Sequence, residues 1–369
     1  MRLLICAGGT GGGVYPALAV LQAMEDNYND FLWVGGQGGM EAELIKRLNL
    51  PYEEIPAAGV HGIGLRSLPG NLYKLIKGVI KSAQILRRFQ PDVIFYTGGF
   101  VAAPMAVAGF STPSVLFVPD IEPGFALIFL SKFAHAIALT TENSKDFFKK
   151  TKKLKVTGYP LRKELRVYQK DEAMQIFKLD GNLPVILVYG GSKGAHSINL
   201  AILNNLDVLL SKVQIIHITG NNDWADFQKV HQKLSPELAA NYQIYPYLHD
   251  EMSAAFSCSE LCISRSGAST LGELPFFGVP AILVPYPYAW RYQKTNAQYL
   301  VDHQAAILIP NEELDARLTQ QILNLINSPD QLVEMSKAMK SLSKPDAADQ
   351  IASLISQQVT PTSRKGGLS

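Results

Sequence analysis

The stretch that decides the fold is LLICAGGTGGGVYPALAVLQAME, which runs from Leu3 to Glu25. A short apolar run ends at a cluster of glycines, and a helix-like apolar periodicity follows the cluster. Pro16 stands where we expect that helix to begin, a place where its missing N–H group costs no hydrogen bond. The pattern predicts a buried strand over Leu3–Ala7, a glycine loop over Gly8–Gly13 and a helix from Pro16 onward.

The same arrangement returns near the middle of the chain. Val185–Tyr189 forms an apolar run, Gly190–Gly194 is rich in glycine, and a helical pattern begins at Ala195. Elsewhere, short apolar runs alternate with helical patterns, which is typical of parallel sheets covered by helices. We therefore predict an α/β protein built from two Rossmann-like domains that face each other across a cleft.

The length of 369 residues suits two domains of ordinary size. Gly158 and Pro160 interrupt regular structure and mark the link between them. We predict an N-terminal domain over 1–160, a C-terminal domain over 161–345 and a last helix over 346–358. The small, polar tail over 359–369 is predicted to be disordered.

Composition excludes several classes of protein. The net charge of +2 gives no reason to expect a nucleic-acid partner. Cys6, Cys258 and Cys262 have neither the number for a disulfide framework nor the spacing of a zinc site, which favours a reducing cytoplasm. The N-terminus does not read as a signal peptide, and no apolar run approaches the roughly 18–20 residues of a membrane span. Any membrane contact is therefore expected to be peripheral.

Glycine loops between a strand and a helix let backbone N–H groups approach an anion closely. The first loop lacks the G-x-G-x-x-G spacing of dinucleotide-binding proteins, and Gly35-Gly36 stand where a ribose-binding acid is expected. The second loop lacks the glycine–lysine spacing of a Walker loop. We therefore expect neither a nicotinamide nor a flavin cofactor. A third cluster, Arg265–Glu273, follows a strand predicted over Leu261–Ser264, and the Glu273 carboxylate suits either a ribose or a simple cap.

Together these motifs resemble the MurG family, the transferases that add N-acetylglucosamine to a lipid-linked muramyl-peptide to make lipid II. The matching stretches are GGTGG (8–12), PALAV (16–20), TGGFVAAP (97–104), EPGFA (122–126), GYPLR (158–162), GGSKGA (190–195), SRSGASTLGE (264–273), GVPAILVPYP (278–287) and QKTNA (293–297). The resemblance implies the GT-B fold and inverting transfer from UDP-N-acetylglucosamine, without a cofactor. It also implies a lipid-linked acceptor, a role in peptidoglycan synthesis and a peripheral place at the cytoplasmic face of the membrane.

The resemblance also implies a set of substrate-binding residues. Arg162 and Ser192 would contact the diphosphate, Glu273 the ribose, and Gln293 with Asn296 the sugar hydroxyls. Backbone near His249 and Ala268 would bind uracil, and the first glycine loop would close over the diphosphate or the acceptor. The full set is Thr10, Gly11, Gly12, Asp120, Arg162, Ser192, His249, Ala268, Ser269, Thr270, Leu271, Gly272, Glu273, Gln293 and Asn296.

The sequence departs from the family on the acceptor side. The family's first loop usually ends in histidine, where this chain has Gly13, and its His-Glu-Gln-Asn run is replaced here by residues 117–120, FVPD. We therefore predict Asp120 as the catalytic base, Glu122 as second candidate and His61 as third. No DxD-type metal motif is present, so we expect no metal and assign the leaving diphosphate to Arg162, loop N–H groups and helix dipoles.

Alternatives stay open for the acceptor and for the membrane. The segment Leu65–Phe89 alternates apolar residues with Lys and Arg and contains no acid, which suits an anionic membrane surface or an ordinary packed helix with a solvated face. The same fold and donor also suit another glycolipid acceptor, a nucleotide-sugar epimerase, or a sugar-nucleotide sensor without catalysis.

Overall fold

The computed structural model describes residues 1–8, 11–25, 27–28, 30–39, 41–58, 68–148, 154–191, 194–288 and 292–359. The chain divides into two compact units. The first unit is Met1–Arg162 together with Pro345–Ser369, and the second is Lys163–Lys344. Arg162, which we assigned to the C-terminal domain, is therefore the last residue of the first unit before the chain enters the second.

The first unit contains a seven-stranded parallel sheet. Its strands are β1 (Arg2–Cys6), β2 (Asp30–Gly36), β3 (Tyr52–Ile55), β4 (Val93–Tyr96), β5 (Ser114–Val118), β6 (Ala136–Leu139) and β7 (Leu154–Val156). Their order is β3-β2-β1-β4-β5-β6-β7. Helices cover both faces of such a sheet, which is why its strands are almost continuously apolar. Leu3, Leu4 and Ile5 of β1 are all fully buried.

The helices of the first unit begin with α1, which carries the glycine loop. They are α1 (Gly11–Ala23), α2 (Glu41–Arg47), α3 (Leu68–Phe89), α4 (Ala102–Ala108) and α5 (Phe125–Ser131), with a 3₁₀ helix over Glu142–Phe148. The prediction that the first helix begins at Pro16 is wrong, because α1 already begins at Gly11. Gly13 therefore lies in the first turn, where backbone N–H groups have no hydrogen-bond acceptor within the helix.

The second unit contains a six-stranded parallel sheet with the same order as the first six strands of the other sheet. Its strands are β8 (Val185–Tyr189), β9 (Gln214–Ile218), β10 (Tyr242–Tyr245), β11 (Leu261–Ser264), β12 (Ala281–Leu283) and β13 (Ala306–Leu308). They are arranged β10-β9-β8-β11-β12-β13. Its helices are α6 (Lys170–Ile176), α7 (His196–Leu203), α8 (Leu206–Leu210), α9 (Trp224–His231), α10 (Pro236–Ala240), α11 (Met252–Cys258), α12 (Thr270–Phe277), α13 (Tyr292–Asp302), α14 (Leu314–Ile326) and α15 (Pro329–Ser341), with a 3₁₀ helix over Asn311–Glu313.

A last helix, α16 (Ala347–Ser356), returns to the first unit and packs on α1. Ala347, Ile351 and Ile355 recur every four residues and are all fully buried, so they form one apolar face. Because α16 covers α1, the C-terminal segment supports the helix that follows the first glycine loop.

Each sheet has one point where the strand order reverses. The reversal lies between β1 and β4 in the first unit and between β8 and β11 in the second. Open α/β sheets bind ligands outside the carboxyl ends of their strands at such a switch point. The glycine loops after β1 and β8, and the segments after β4 and β11, all lie at these two edges. Across the described ranges, no helix is both long and apolar enough to span a membrane.

Candidate functional site

The glycine loop after β8 is packed tightly at both ends. A Cβ on Gly190 would lie 2.2 Å from the Ala195 nitrogen, and a Cβ on Gly194 would lie 2.2 Å from the Thr219 carbonyl oxygen. Gly194 also has a φ of +80°, which favours glycine. Gly191, by contrast, faces open space. The loop is therefore tightly packed at Gly190 and Gly194 and open at Gly191, while Ser192 and Lys193 lie outside the described residues.

A buried network of hydrogen-bonded side chains supports Thr219, against which Gly194 of this loop packs. The Asn199 amide donates to the Thr219 carbonyl over 2.8 Å and to the Asp223 carboxylate over 2.7 Å. His217, fully buried in β9, lies 3.0 Å from Asn199 Oδ1 through Nε2 and 2.9 Å from the Tyr242 hydroxyl through Nδ1. Burial lowers the pKa of His217 to about 3, with Asp223 opposing the shift, so the imidazole is neutral. Sequence reasoning missed this network, although a histidine inside the apolar run QIIHI is a signal for it.

Arg265 ties the carboxyl ends of β11 and β12 to α7. Its Nη1 donates to Asn311 Oδ1 over 2.9 Å and to the Val284 carbonyl over 3.1 Å, while Nη2 donates to the Ser197 hydroxyl over 2.8 Å. Its guanidinium also lies 5.4 Å from the Tyr286 ring centroid. Burial lowers the pKa of Arg265, which nevertheless stays charged at neutral pH. This arginine was part of the third predicted cluster, but its side-chain partners were not predicted.

The structure brings two of the predicted sugar residues to the segment after β11. The Ser266 hydroxyl donates to the Gln293 carbonyl over 2.7 Å, and the fully buried Asn296 donates through Nδ2 to the Ser266 carbonyl over 3.1 Å. Gln293 is half-buried, and its Oε1 accepts the Tyr286 N–H over 2.9 Å. Asn296 is therefore built into the loop, whereas the amide nitrogen of Gln293 makes no hydrogen bond with the residues that the structure describes.

The predicted stretch from Ala268 to Glu273 forms the turn into α12. The Thr270 hydroxyl closes that turn by donating to the Gly267 carbonyl over 2.6 Å. Ala268, Thr270 and Leu271 have buried side chains, and Gly272 is buried as well. Ser269 and Glu273 are half-buried, and a Cβ on Gly267 would meet nothing within 4 Å. A ligand can therefore reach the Ser269 and Glu273 side chains and the backbone at Gly267.

His249, predicted to offer backbone to uracil, lies in the segment after β10 and is exposed. Its N–H donates to the Glu251 carboxylate over 3.3 Å, and its ring packs edge-on against Tyr247. The N–H group of His249 itself is therefore already hydrogen-bonded within the chain.

In the first unit, the predicted phosphate and base residues lie on different elements. The Arg162 guanidinium stacks 4.9 Å from the ring centroid of Tyr15 in α1, a cation–π contact. Asp120 is half-buried and Glu122 is buried, and both follow β5 directly. The Thr140 hydroxyl anchors the backbone before Asp120, lying 3.0 Å from the Val118 carbonyl and 2.8 Å from that of Pro119. Of the other predicted residues, Thr10 and His61 lie outside the described residues, and Gly11 and Gly12 belong to the first turn of α1.

The base of the first glycine loop contains a buried acid that sequence reasoning missed. Glu41 is 1% exposed and accepts the Gly36 N–H through Oε1 over 2.8 Å. A Cβ on Gly8 would lie 2.2 Å from that same oxygen, so a side chain at residue 8 would require the Glu41 carboxylate to move. Burial, reinforced by Glu41, raises the pKa of the Cys6 thiol far above its ordinary value. Cys6 is therefore a neutral core residue, in keeping with its fully buried position in β1.

A band of exposed apolar side chains lies on α3, α4 and α5, which pack side by side. It consists of Leu72, Tyr73, Ile76 and Ile80 of α3, Val107 and Phe110 in and after α4, and Phe125 and Phe129 of α5. Three cations, Lys74, Lys77 and Lys81, lie among the α3 members of this band. Over the ranges that the structure describes, no three His, Cys, Asp or Glu side chains are grouped closely enough to hold a metal ion.

Comparison with known proteins agrees with this architecture. The N-terminal domain of glycosyltransferase family 28 matches residues 3–139, and the C-terminal domain of the same family matches 185–351. The UDP-N-acetylglucosamine–N-acetylmuramyl-(pentapeptide) pyrophosphoryl-undecaprenol N-acetylglucosamine transferase of Roseiflexus sp. (strain RS-1) is 34% identical over 416 residues, covering 96% of this chain and 94% of that relative.

Solved structures extend the comparison. MurG of Acinetobacter baumannii superposes with a TM-score of 0.74 at 25% identity, over 96% of this chain and 99% of that one. UDP-GlcNAc 2-epimerase of Neisseria meningitidis, with a TM-score of 0.69 at 15% identity over 97% and 100% of the two chains, shares the fold alone. These matches confirm the predicted fold class of two Rossmann-like domains. The chain is a glycosyltransferase of family 28 and belongs to the MurG family.

Proposed function

We propose that this chain transfers N-acetylglucosamine from UDP-N-acetylglucosamine to a lipid-linked muramyl-peptide. The observation that carries the proposal is the similarity, at 34% identity over 96% of the chain, to a transferase that is named for this reaction. A match of this extent includes both switch-point edges. The proposal assigns the donor to the second unit and the acceptor to the first.

On the donor side, Gln293 is the residue best placed to read the sugar. Because its Oε1 already accepts the Tyr286 N–H, its amide nitrogen is the atom that would donate to a sugar hydroxyl. We place Asn296 behind this contact, where it fixes the Ser266 loop. Glu273 lies half-buried in the first turn of α12 and would accept the ribose hydroxyls.

The departing diphosphate needs positive potential, and several groups of the chain would supply it. Arg162 and Ser192 are the proposed direct contacts, together with the N–H groups where α7 begins. Arg265 adds a charge that its own surroundings leave uncancelled. Among the residues that the structure describes, its hydrogen-bond partners are two carbonyls, an amide and a hydroxyl, all of them uncharged. A fixed, partly desolvated guanidinium of this kind stabilises developing negative charge without reorganising.

On the acceptor side, we assign the base to Asp120. The acceptor hydroxyl would give its proton to this carboxylate while its oxygen attacks the anomeric carbon, and UDP would leave from the opposite face with inversion. The Thr140 hydroxyl, which anchors the backbone just before Asp120, would limit the movement of the carboxylate. Glu122 is the second candidate and is more deeply buried.

We further propose that the apolar band on α3, α4 and α5 docks on the cytoplasmic face of the cell membrane. Leu72, Ile76 and Ile80 are 54%, 53% and 56% exposed, at the spacing of one helix face. Apolar side chains beside lysines suit an interface of acyl chains and anionic headgroups. A lipid-linked acceptor would then be met at the surface where it resides.

The function is tested by release of UDP from UDP-N-acetylglucosamine against a panel of acceptors. We expect release with the lipid-linked muramyl-peptide and background release without it. Release of UDP only with a different glycolipid would identify that glycolipid, and not the muramyl-peptide, as the acceptor. Epimerised sugar nucleotide without acceptor would indicate an epimerase, and tight binding without turnover a sensor; either result would overturn the proposal.

A further inference from the structure

The two arginines that we assign to the departing diphosphate are held in different ways. Arg265 commits both terminal nitrogens, because Nη1 donates to Asn311 and Nη2 donates to Ser197. The half-buried Arg162 makes no side-chain hydrogen bond or ion pair with the residues that the structure describes. Its guanidinium lies instead over the ring of Tyr15, 4.9 Å from the centroid. Arg265 is therefore fixed through its N–H donors, and Arg162 through the face of its guanidinium.

The backbone that leads to Arg162 is fixed on the first unit. Residues 157–160 are all buried. The N–H groups of the first two donate to one carbonyl oxygen at the end of β6, over 2.9 and 3.3 Å. The Tyr159 ring packs edge-on against Phe117 of β5, with 6.0 Å between the centroids. The Arg162 side chain therefore starts from a fixed point, and the Tyr15 ring limits where its guanidinium lies.

A stacked ring holds an arginine without using its hydrogen-bond donors. The guanidinium is planar, and its five N–H groups lie in that plane. The negative face of the ring attracts the cation from above the plane. The N–H donors of Arg162 therefore stay available for two parallel bonds to a phosphate. Because the guanidinium is already held, less side-chain freedom is lost when a ligand binds.

The contact depends on the ring of Tyr15 and not on its hydroxyl. That hydroxyl makes no hydrogen bond with the residues that the structure describes. Tyr15 is half-buried and lies one turn into α1, the helix that begins at the first glycine loop.

We propose that Tyr15 is a positioning residue that holds the Arg162 guanidinium ready for the diphosphate of the sugar nucleotide. The inference rests on the proposed function, in which Arg162 contacts that diphosphate. It gives α1 a part in donor binding that acts through the arginine and not through direct contact with the substrate.

The test compares titrations with UDP and with uridine, which lacks the diphosphate. Tyr15→Leu should weaken UDP binding about fivefold, the size expected for loss of a partly desolvated cation–π contact, and leave uridine binding unchanged. Tyr15→Phe should bind UDP like the wild type, because the ring face is kept. Tyr168→Leu is the matched control, since it removes a ring that lies 4.3 Å from the guanidinium of Arg166. It should leave UDP binding unchanged.

Two further measurements decide the inference if Tyr15→Leu disturbs α1. Pentafluorophenylalanine at position 15 keeps the shape of the ring but withdraws electron density from its face. UDP binding should then weaken, while the melting temperature stays that of Tyr15→Phe. In an Arg162→Gln background, Tyr15→Leu should weaken UDP binding no further, because the two residues act as one unit.

Unchanged UDP binding in Tyr15→Leu, or equal losses for UDP and uridine, would overturn the inference. The same holds for a loss in Tyr15→Phe as large as in Tyr15→Leu, for unchanged UDP binding with the fluorinated ring, and for a further loss in the Arg162→Gln background. The proposed function is decided separately, by transfer to the muramyl-peptide lipid. A wild type that binds UDP but transfers nothing would reject that function, and the titrations would still decide the role of Tyr15. A wild type that binds no UDP would overturn both.

Discussion

The two units share a strand order, but their switch-point edges are built differently. In the second unit the edge is cross-linked by side chains: Arg265 joins two strand ends to α7, Asn296 holds the Ser266 loop, and the buried His217 supports the glycine loop. In the first unit the corresponding edge is lined by glycines, and the hydroxyl of Thr97 has no hydrogen-bond partner within the described ranges. Among the described residues, the edge of the second unit is therefore held by more side-chain hydrogen bonds than that of the first.

The largest expected effect concerns the proposed catalytic base of the first unit. We expect Asp120→Asn to lower kcat by about 10²–10⁴-fold, because general-base catalysis is lost while the donor edge is untouched. The KM for UDP-N-acetylglucosamine should stay nearly unchanged. Steady-state kinetics of UDP release with the muramyl-peptide lipid measures both constants. Glu122→Gln is the matched control and should lose less, so a larger loss there would transfer the assignment to Glu122, and wild-type turnover in Asp120→Asn would reject it.

Substitutions at two glycines of the second unit distinguish a role in packing from a role in ligand contact. Gly194→Ala should lower the free energy of unfolding by about 2–4 kcal/mol, because it strains a positive φ and drives a Cβ into the Thr219 carbonyl. Gly267→Ala meets nothing within 4 Å and should leave that free energy unchanged. It should still weaken UDP binding, because the donor is proposed to approach this backbone. Urea unfolding and UDP titration measure the two effects, and equal destabilisation by both substitutions would contradict the comparison.

Much of the fold could be predicted because buried parallel strands can be recognised in the sequence as apolar runs that end in glycine or small residues. Val185–Tyr189 and Leu261–Ser264 are found with the predicted bounds. The first helix was harder, because Gly11, Gly12 and Gly13 have low helix propensity and only tertiary packing shows that α1 includes them.

The site could be predicted only where the type of a single residue indicates its role, and not where the role depends on tertiary contacts. Gln293 and Asn296 were named as a pair, but nothing in their spacing shows that Asn296 is turned into the Ser266 loop. The His217 network depends on the register of β9 against β10 and on α7, elements far apart in sequence. Whether the buried Thr97 hydroxyl has a hydrogen-bond partner also depends on tertiary structure.

The pH dependence of stability should sharpen the contrast between the units. His217 is neutral in the fold, with a pKa lowered to about 3, and titrates near its ordinary value of 6.5 when unfolded. Between these values the unfolded state binds the extra proton, so stability is complete above about pH 6.5 and falls as the pH drops toward 3. We expect this residue to contribute a loss of about 2–3 kcal/mol between pH 7.5 and 4.5.

Urea unfolding of the wild type and of His217→Gln across this range isolates the contribution. The substitution should lower stability at pH 7.5, because it disturbs the bonds to Asn199 and Tyr242, but it should flatten the slope below pH 6.5. Parallel slopes in the two proteins would show that another group causes the pH dependence.

The smallest effect concerns the exposed surfaces of the two units. Ile76→Asn combined with Ile80→Asn should weaken binding to anionic vesicles by about five- to tenfold, because two half-exposed apolar side chains no longer enter the interface. Co-sedimentation at low salt measures this binding, and raising the salt should weaken the binding of the wild type to the vesicles, because the lysines of α3 are screened.

Val208→Asn, on α8 of the second unit, is the matched control, since Val208 is 51% exposed. Its vesicle binding should equal that of the wild type, because the second unit is proposed to face the soluble donor. Equal losses in both variants would mean that vesicle binding reports general hydrophobicity, and no loss in either would make α3 an ordinary helix with a solvated face.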